Sequence, residues 1–378
     1  MIETIEIDLT DDQWRPPFTL SGTAWALIRA GRHVLGEERL VGVSPLELVD
    51  HKSRLVRAYS ARLGNDQREA LDGSGVTIVV CTRDRPRLLE GCLAAISLLQ
   101  PMCAEVIVVD NASTERSSRQ IAESFGVTVV SEPTPGLDRA RNMGFHAAST
   151  DVVAFVDDDA RVDKHFAGAL GQIFDHAGIQ AVTGLVLPAE LETYPQQAFE
   201  MIEGGMRKGF RCQVFDRARV GLQAFRVGVG TNMAFRRELL DRLGGFDLRF
   251  DVGTRTKGAG DLDLFWRCLQ AGVPVVYDPD VLVRHIHRRD RRGLLNQMRD
   301  NGTAYAAFLE SRSNEWPDFA GSVRRERLRW HWSRHVVRPV SAIARREFLE
   351  LQMAIFELLG SLQGGAALRS ETLDRKAA

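Results

Sequence analysis

Three consecutive aspartates, Asp157 to Asp159, follow an apolar run and are the residues of this chain best suited to do chemistry. Val152 to Val156 is typical of a buried strand, so the charges are expected at the strand's carboxyl end. Because side chains alternate along an extended segment, Asp157 and Asp159 would share one face while Asp158 points elsewhere. Such a pair suits a hard divalent cation, Mn²⁺ or Mg²⁺, which completes its shell with water and ligand phosphates. A solvated turn that ends a strand is the alternative interpretation.

The aspartates belong to a strand–loop–helix pattern that begins at Val76. Strand-like runs at Val76 to Cys81, Glu105 to Asp110 and Val127 to Val130 alternate with helical patterns at Arg87 to Leu99 and Ser117 to Phe125. This alternation predicts a parallel sheet with crossover helices, whose ligand crevice lies at the carboxyl ends of the strands. The polar residues at those ends are Thr82, Arg83, Asp84, Asp110, Asn111 and the three aspartates.

Several phosphate-handling classes are disfavoured. No GxGxxG follows the first strand and no GxxxxGK[ST] occurs, which argues against a Rossmann NAD site and a P-loop. A haloacid-dehalogenase type phosphatase would have Thr or Val where this chain has Arg161. A phosphate would therefore be held by a metal and by side chains.

Two further features could contribute to the same crevice. Asp110 could accept hydrogen bonds from a nucleobase or ribose, or it could cap the following turn. Pro135-Gly136 predicts a turn before the helical segment Leu137 to Ala148, from which Arg139 or Arg141 could project into the crevice. A surface position is the alternative for either arginine.

Taken in order, these segments resemble an inverting, family 2 glycosyltransferase with the GT-A fold. The resemblance extends over about residues 76–290. It implies an α/β protein with a mostly parallel, Rossmann-like sheet flanked by helices. It also implies a nucleotide-sugar donor, a divalent metal and a single displacement that inverts the anomeric centre. The matching pieces are VTIVVCTRDRPRLLEGCLAAI, EVIVVDNAS, PGLDRARNMGF, DVVAFVDDDARV, GTNMAFRRELLDRLGGFD, GDLDLFWRCLQAG and VRHIH.

The resemblance also implies roles by position. Asp157 and Asp159 would form the DxD pair, with Asp159 as the direct metal ligand, and Asp158 would lie near the ribose. The run VLVRHIH is expected to be a strand with two histidines on one face, of which His285 would make a third metal or pyrophosphate contact and His287 is the weaker candidate. The implied nucleotide contacts are Thr82, Asp84, Asp110 and Arg141, and Arg83 shares the strand end with them.

Asp261 is expected at the start of an amphipathic helix, after the glycine-rich approach in KGAGDLDLFWR. The resemblance implies that it is the general base that deprotonates the acceptor hydroxyl, although a carboxylate here is also a natural helix cap. The family more often has Glu-Asp at this point, so Gly260 removes a supporting carboxylate. Asp263 is expected to support the helix or contact the acceptor, and Asn232 to touch the donor sugar or hold a loop.

The chain divides into three parts by composition. Residues 1–72 predict an accessory α+β module, with a hairpin from Ala24 to Leu40 and a helix that starts at Ser44-Pro45 and reaches about Leu63. Residues 64–75 read as a linker. Residues 76–292 form the glycosyltransferase-like domain, with a nucleotide-sugar half at 76–187 and an acceptor half at 188–292. Residues 293–378 predict a C-terminal helical region.

The segment Arg324 to Arg346 is rich in arginine, with Trp330 and Trp332 interleaved. Its helices could pack on the core with solvated arginines, or they could rest on anionic lipid. No motif supports nucleic acid as a partner, and the formal net charge of −1 implies no general attraction to it.

Other features bear on the compartment. The five cysteines lack CxxC or CxxH spacing, which argues against a zinc site or a disulfide framework and suits a reducing compartment. The N-terminus lacks the features of a signal peptide, and no run of about 18 apolar residues predicts a membrane span. The expected location is the cytoplasm, with peripheral contact at the inner face of the membrane as an addition.

The leading hypothesis is metal-dependent transfer of a sugar to a hydroxyl of a saccharide, a lipid-linked or a small-molecule acceptor. A nucleotidyltransferase would share the α/β half, but it favours a glycine-rich loop where this chain has CTRDRP. A non-catalytic nucleotide-sugar or polysaccharide binder is a second alternative, which Gly260 makes conceivable.

Overall fold

The computed structural model describes residues 2–11, 14, 23–41, 45–59, 71–204 and 209–377. The predicted helix start at Ser44, the predicted helix end near Leu63 and most of the predicted linker lie outside these ranges. The N-terminal elements are β1 (Ile2–Asp8), β2 (Thr23–Ala30), β3 (His33–Val41) and α1 (Pro45–Ala58).

A small three-stranded sheet forms the N-terminal part of the described chain. β1 runs parallel to β2, and β2 pairs antiparallel with β3 in the predicted hairpin. Gly31, at the turn, has a φ of +56°, a left-handed conformation that glycine adopts without steric cost. Alternate residues of β2, such as Ala26 and Ile28, share an apolar core with Leu48 and Leu55 of α1.

The larger sheet carries the predicted crevice, and within the described ranges it contains nine strands. These are β4 (Val76–Thr82), β5 (Glu105–Asn111), β6 (Thr128–Glu132), β7 (Val152–Asp157), β8 (Ala160–Val162), β9 (Ala181–Pro188), β10 (Gln213–Phe215), β11 (Asn232–Arg236) and β12 (Val275–His285).

The strand order of the larger sheet is β10-β12-β9-β11-β7-β4-β5-β6, and β8 pairs with β12. Strands β7, β4, β5 and β6 are parallel neighbours, while β11 is antiparallel to both β7 and β9. β4 is buried along its whole length. Its side chains alternate between two cores, since Val79 packs on one face while Ile78 and Val80 pack on the other.

Helices flank this sheet on both faces, as the predicted α/β class requires. The helices described between residues 86 and 270 are α2 (Pro86–Ile96), α3 (Ser117–Ser124), α4 (Leu137–Ala147), α5 (Phe166–Phe174), α6 (Tyr194–Glu203), α7 (Arg217–Val220), α8 (Arg237–Leu243) and α9 (Gly260–Gln270). Of these, α6 packs on the helical region that follows residue 290.

The C-terminal region is helical, as predicted. Its longest helix, α10, packs against α13 at close range: a Cβ at Gly302 would lie 2.1 Å from the backbone oxygen of Glu357, so only glycine allows this approach. None of the described helices is both long and apolar enough to cross a bilayer. The helices are α10 (Arg291–Glu315), α11 (Ala320–Trp332), α12 (Arg338–Arg345), α13 (Phe348–Ser361) and α14 (Gly364–Ala377), with a π-helical turn, Ser333–Val337, between α11 and α12.

A buried ion pair fixes the small sheet to the larger one. Arg29 of β2 is 2% exposed, and its Nη1 and Nη2 donate to the two oxygens of Asp163 at 3.1 and 3.2 Å. Asp163 directly follows β8, and Nη1 of Arg29 also donates to Glu6 at 2.8 Å. The position of the N-terminal sheet is therefore coupled to the β8–β12 pair.

Candidate functional site

A cavity of about 590 Å³ lies at the carboxyl ends of β4 and β7, where the sequence predicts the crevice. The predicted residues Asp84, Asp110 and Asn232 are not part of its lining. The predicted residues that do line it are Thr82, Arg83, Arg141, Asp157, Asp158, Asp159, Asp261, His285 and His287.

Asp157, Asp159 and His285 form a cluster in which each residue offers a ligand atom and these atoms lie within 4.8 Å of one another. Asp157 ends β7 and the chain turns immediately into β8, where Ala160 pairs with His285 at the end of β12. This tight turn brings Asp159 beside His285, with 3.1 Å between Oδ1 and Nε2. Two carboxylates and an imidazole are a donor set that fits a cation such as Mn²⁺ or Mg²⁺.

Asp159 and His285 shift each other's pKa in opposite directions. Burial favours the neutral form of Asp159, but the hydrogen bond and charge of His285, with the charges of Arg85 and Arg288, lower the pKa of this carboxyl to about 2. Burial lowers the pKa of His285, and the hydrogen bond and charge of Asp159 outweigh it, so the net direction is upward. Asp159 is therefore an anion across the physiological pH range.

Asp158 is turned toward β4, away from His285. Its Oδ2 accepts a hydrogen bond from Thr82 Oγ1 at 2.8 Å, and its Oδ1 accepts one from Arg85 Nη1 at 3.0 Å. Burial raises the pKa of Asp158 to about 6, against the opposing charge of Arg85. The predicted divergence of Asp158 from its two neighbours agrees with this geometry.

Two arginines of the cavity were not among the predicted site residues. Arg85 donates to Asp158 and also lies 3.4 Å from Asp159 Oδ2, and Arg288 lies 4.0 Å from the same oxygen. The signal available in the sequence was their place beside recognised motifs, Arg85 in CTRDRP and Arg288 directly after VRHIH.

Arg141, rather than Arg139, projects into the cavity from α4. It is 5% exposed, and its Nη1 lies 3.1 Å from Asp138 Oδ1. Its Nη2 lies 3.4 Å from Asp157 Oδ1 and donates to the carbonyl oxygen of Gly230 at 3.3 Å. One guanidinium thus connects the cation-type cluster to the loop before β11.

Asp261 lies in the first turn of α9 and faces the same cavity. Its Oδ2 accepts a hydrogen bond from the backbone N–H of Gly230, and its Oδ1 accepts one from Leu262, both at 2.8 Å. The carboxylate therefore organises backbone in the manner of a cap. The approach is strained, because Lys257 and Ala259 have positive φ values of 67° and 84°. Strain of this kind is concentrated at functional sites.

Asp138 occupies the space that a side chain at position 260 would need. A Cβ on Gly260 would lie 1.9 Å from Asp138 Oδ2. Asp138 is 1% exposed, and its Oδ2 has no hydrogen-bond partner among the described residues. Burial raises the pKa of Asp138 well above its usual value despite the charge of Arg141, and the charges of Asp251 and Asp261 act in the same direction as burial.

Asn232, which was expected to touch the donor sugar or hold a loop, does not line the cavity. Its side chain is fully buried, and its Nδ2 donates to the backbone oxygens of Leu185 at 3.0 Å and Val281 at 2.8 Å. The amide holds neighbouring strands together, which corresponds to the holding role considered for it. The preceding residues Gly230 and Thr231 line the cavity instead.

Asp84 and Asp110 also make contacts other than the predicted ones. Asp84 is exposed, and its Oδ1 accepts hydrogen bonds from the backbone N–H groups of Thr114 and Glu115 at 2.8 and 3.3 Å. Asp110 Oδ2 lies 3.7 Å from Arg119 Nε. Asn111, next to Asp110, is the residue of β5 that lines the cavity.

The second histidine and the second aspartate of the motifs have structural partners. His287 lies beyond the end of β12, contrary to the expected strand, and its Nε2 is 3.0 Å from Glu200 Oε2. Asp263 is buried, 2.6 Å from Arg267 Nε and 3.0 Å from Arg312 Nη1. Asp263 therefore supports α9, one of its two expected roles.

The fold is that of a GT-A type α/β protein. A mannosyltransferase of Pyrobaculum calidifontis, solved in complex with GDP-mannose and Mn²⁺, has the same fold. It matches with a TM-score of 0.53 and 19% identity over 84% of this chain and 96% of that chain.

The sequence comparisons define the family. The family model for glycosyl transferase family 2 matches residues 77–244. An uncharacterized glycosyltransferase of Mycobacterium bovis is 30% identical over 208 residues, which cover 53% of this chain and 85% of the relative. The chain belongs to glycosyl transferase family 2, as the sequence motifs predict.

A longer relative is matched only in part. The pre-mycofactocin glycosyltransferase of Mycobacterium tuberculosis is 27% identical over 221 residues, which cover 57% of this chain. The match spans 44% of that relative, so the chain covers less than half of its length.

Proposed function

We propose that this protein transfers a sugar from a nucleoside-diphosphate sugar to an acceptor hydroxyl, with a divalent cation and with inversion at the anomeric carbon. The observation that carries the proposal is the convergence of Asp157, Asp159, His285 and Asp261 on one cavity. Family membership and the GT-A fold support it, and the structural neighbour was solved with GDP-mannose and Mn²⁺.

Asp157, Asp159 and His285 would hold the cation, Mn²⁺ or Mg²⁺. When bound, such an ion stabilises the negative charge that develops on a departing diphosphate. Arg85 and Arg288 lie 3.4 and 4.0 Å from Asp159 and line the same cavity, so they would add positive charge beside the diphosphate.

The nucleotide would lie toward the end of β4. Thr82, Arg83, Asp158 and Arg141 line this part of the cavity and are proposed as its contacts. Thr82 and Arg85 already orient Asp158, which would accept from the ribose. Asp84 and Asp110 are proposed as contacts of the nucleobase, which would reach them if it extends past Asn111.

Asp261 is proposed as the general base. It faces the cavity from the rigid first turn of α9, and its hydrogen bond to Gly230 fixes the orientation of its carboxylate. The neighbouring carboxyl of Asp138 is only 1% exposed, so it is less accessible to an acceptor hydroxyl than the half-buried carboxylate of Asp261. With one base and no covalent step, the displacement would invert the anomeric centre.

The acceptor, a saccharide, a lipid-linked or a small-molecule alcohol, would enter from the half at residues 188–292. Residues 1–72 are proposed as an accessory module, residues 76–292 as the transferase domain and residues 293–378 as a helical extension. The buried Arg29–Asp163 pair supports a module that stays docked on the transferase domain.

Product analysis tests the proposal. Purified protein would be incubated with UDP-, GDP- or dTDP-sugars, with Mn²⁺, Mg²⁺ or a chelator, and the released products measured. We expect a free nucleoside diphosphate with one donor class, in a cation-dependent manner, and its loss in Asp261→Asn. Asp175→Asn, an exposed aspartate on another surface, is the matched control. A parallel incubation with a nucleoside triphosphate and a sugar 1-phosphate tests the rival reaction. Release of pyrophosphate there, with no nucleoside diphosphate released from any nucleotide sugar, would identify a nucleotidyltransferase and overturn the proposal.

A further inference from the structure

A stripe of exposed apolar side chains runs along the helical segment formed by α11, the π-helical turn and α12. Its members follow one another at intervals of three or four residues along the sequence, and each is between 41% and 64% exposed. Residues at this spacing share one side of a helix. The stripe consists of Leu328, Trp332, Val336, Val340 and Ile343.

The π-helical turn helps to keep this stripe straight. An α-helical turn holds about 3.6 residues, so a stripe with strict four-residue spacing would wind slowly around a long helix. The π-helical segment Ser333–Val337 holds more residues per turn and compensates for part of this excess. The apolar side chains therefore stay on the outward side of the whole segment.

The opposite side of the segment is anchored in the protein. Arg338 Nη1 lies 3.1 Å from Glu203 Oε1, and Arg334 lies 2.5 Å from the same oxygen and 3.0 Å from Glu357 Oε1. Trp330 is also buried on this side. These ion pairs fix the rotation of the segment about its axis, so it cannot turn to bury the stripe against the core.

The charged side chains of the segment itself are almost all basic, although Arg327 and Arg345 pair with Glu310 of α10 and Glu350 of α13. Residues 320–346 contain eight arginines and one acidic residue, Glu326, which is buried. Arg324 and Arg325 lie about one helical turn before Leu328, and Arg345 and Arg346 follow Ile343 closely. Since the whole chain has a formal net charge of −1, this basic character is local.

We propose that α11 and α12 dock on the surface of an anionic phospholipid bilayer and lie in its plane. A helix with an exposed apolar stripe that includes tryptophan, and with arginines at both ends, matches the boundary between acyl chains and anionic headgroups. A symmetric contact between two copies would bring the same arginines together, which like-charge repulsion disfavours. Docking does not depend on the proposed transfer reaction.

Vesicle co-sedimentation of the full chain tests docking without any donor. We expect binding to phosphatidylcholine vesicles that contain phosphatidylglycerol, weaker binding to phosphatidylcholine alone, and loss of binding at high salt. Trp332→Ser with Val340→Ser should lower binding about tenfold or more because apolar contact is lost. Arg324→Gln with Arg325→Gln should lower it about tenfold or more, since each basic residue near such a surface contributes about 1 kcal/mol.

The matched control is Leu98→Ser with Met102→Ser, which removes two apolar side chains that are also more than half exposed and lie outside the stripe. Its vesicle binding should equal that of the wild type, and thermal melting of every variant checks the fold. Absence of wild-type binding, or wild-type binding by the stripe variant, would overturn the proposal. Self-association without vesicle binding, abolished by Trp332→Ser, would assign the stripe to a contact between copies and overturn it as well.

Discussion

His285 and His287 face each other through their Nδ1 atoms at 3.2 Å. Nε2 of His287 lies 3.0 Å from Glu200 Oε2 in a buried position. If Nε2–H of neutral His287 donates a hydrogen bond to the Glu200 carboxylate, Nδ1 of His287 accepts one from Nδ1–H of His285. Nε2 of His285, which faces Asp159, is then the nitrogen available to a cation. Burial and the charge of His285 lower the pKa of His287, which favours its neutral form.

Glu200 and His287 are therefore expected to position His285 for cation binding. Glu200→Leu removes the acceptor that sets this hydrogen-bond direction, and Mn²⁺ affinity should fall about tenfold or more. Titration of the purified protein with Mn²⁺, followed by electron paramagnetic resonance, measures this without donor or turnover. Glu192→Leu, which changes an exposed carboxylate just before α6, is the control. Unchanged Mn²⁺ affinity in a folded Glu200→Leu variant would refute the positioning role.

Substitution of a residue in the Asp157, Asp159 and His285 cluster is expected to abolish stabilisation of the protein by a cation. Asp159→Ala and His285→Ala each remove one of the three donors within 4.8 Å, and we expect Mn²⁺ with a bound nucleotide sugar to stop raising the melting temperature. Differential scanning fluorimetry with and without Mn²⁺ measures the effect. Asp175→Asn should keep the wild-type shift. A full shift in Asp159→Ala would mean that the cation binds elsewhere.

Asp261→Asn is expected to separate catalysis from binding. Asparagine can still accept the hydrogen bond from Gly230 through its oxygen and loses only the bond from the adjacent Leu262, so the loop and the donor site should remain intact. The amide cannot take a proton, so kcat should fall about 10²- to 10⁴-fold with little change in the KM for the donor. Steady-state kinetics test this, and a KM change with unaltered kcat would argue for a capping role alone.

Local patterns in the sequence were sufficient to predict the sheet, because alternation and strand–helix order are recorded in consecutive residues. The strand-end residues Thr82 and Asp157 could be placed for the same reason. The partners of Asp158 and His287 could not, since Arg85 and Glu200 are brought to them by the tertiary fold. The complete burial of Asn232 could not be predicted either, because a motif does not record burial.

The sequence predicts that Gly260 removes a supporting carboxylate next to Asp261. In the structure the carboxyl of Asp138 lies at this point instead. Asp138 fills the space next to Gly260, so Gly260→Ala should destabilise the protein by about 1–3 kcal/mol through steric overlap. Asp138→Ala in the same chain should recover much of this loss, because the overlapping carboxyl is removed. Urea unfolding of the two single variants and the double variant forms the cycle. Additive effects would show that residues 138 and 260 do not compete for this space.

The Arg29–Asp163 pair predicts how stability responds to pH when the N-terminal sheet loses its anchor. Burial would raise the pKa of Asp163, but the charge and hydrogen bonds of Arg29 lower it. The pair therefore stabilises the folded protein at pH values above the carboxyl's pKa in the unfolded chain, and this stabilisation is lost as the pH falls through the lowered pKa of the folded state. Arg29→Met leaves the buried Asp163 with the backbone N–H of His165 at 3.1 Å and with Arg284, at 3.8 Å, as its remaining cationic neighbour, and should cost about 3 kcal/mol at neutral pH.

In that variant the pKa of Asp163 should rise, so stability should decrease as the pH increases from about 4 to 7, opposite to the wild-type trend for this carboxyl. Urea unfolding at several pH values measures both slopes, and adding Asp163→Asn should remove the difference. Glu310, which pairs with Arg327 at 2.9 Å in a more exposed setting, offers the control Arg327→Met. Since exposed pairs contribute at most about 1 kcal/mol, this control should change stability little. Equal losses in Arg29→Met and Arg327→Met would show that the buried pair does not anchor the N-terminal sheet.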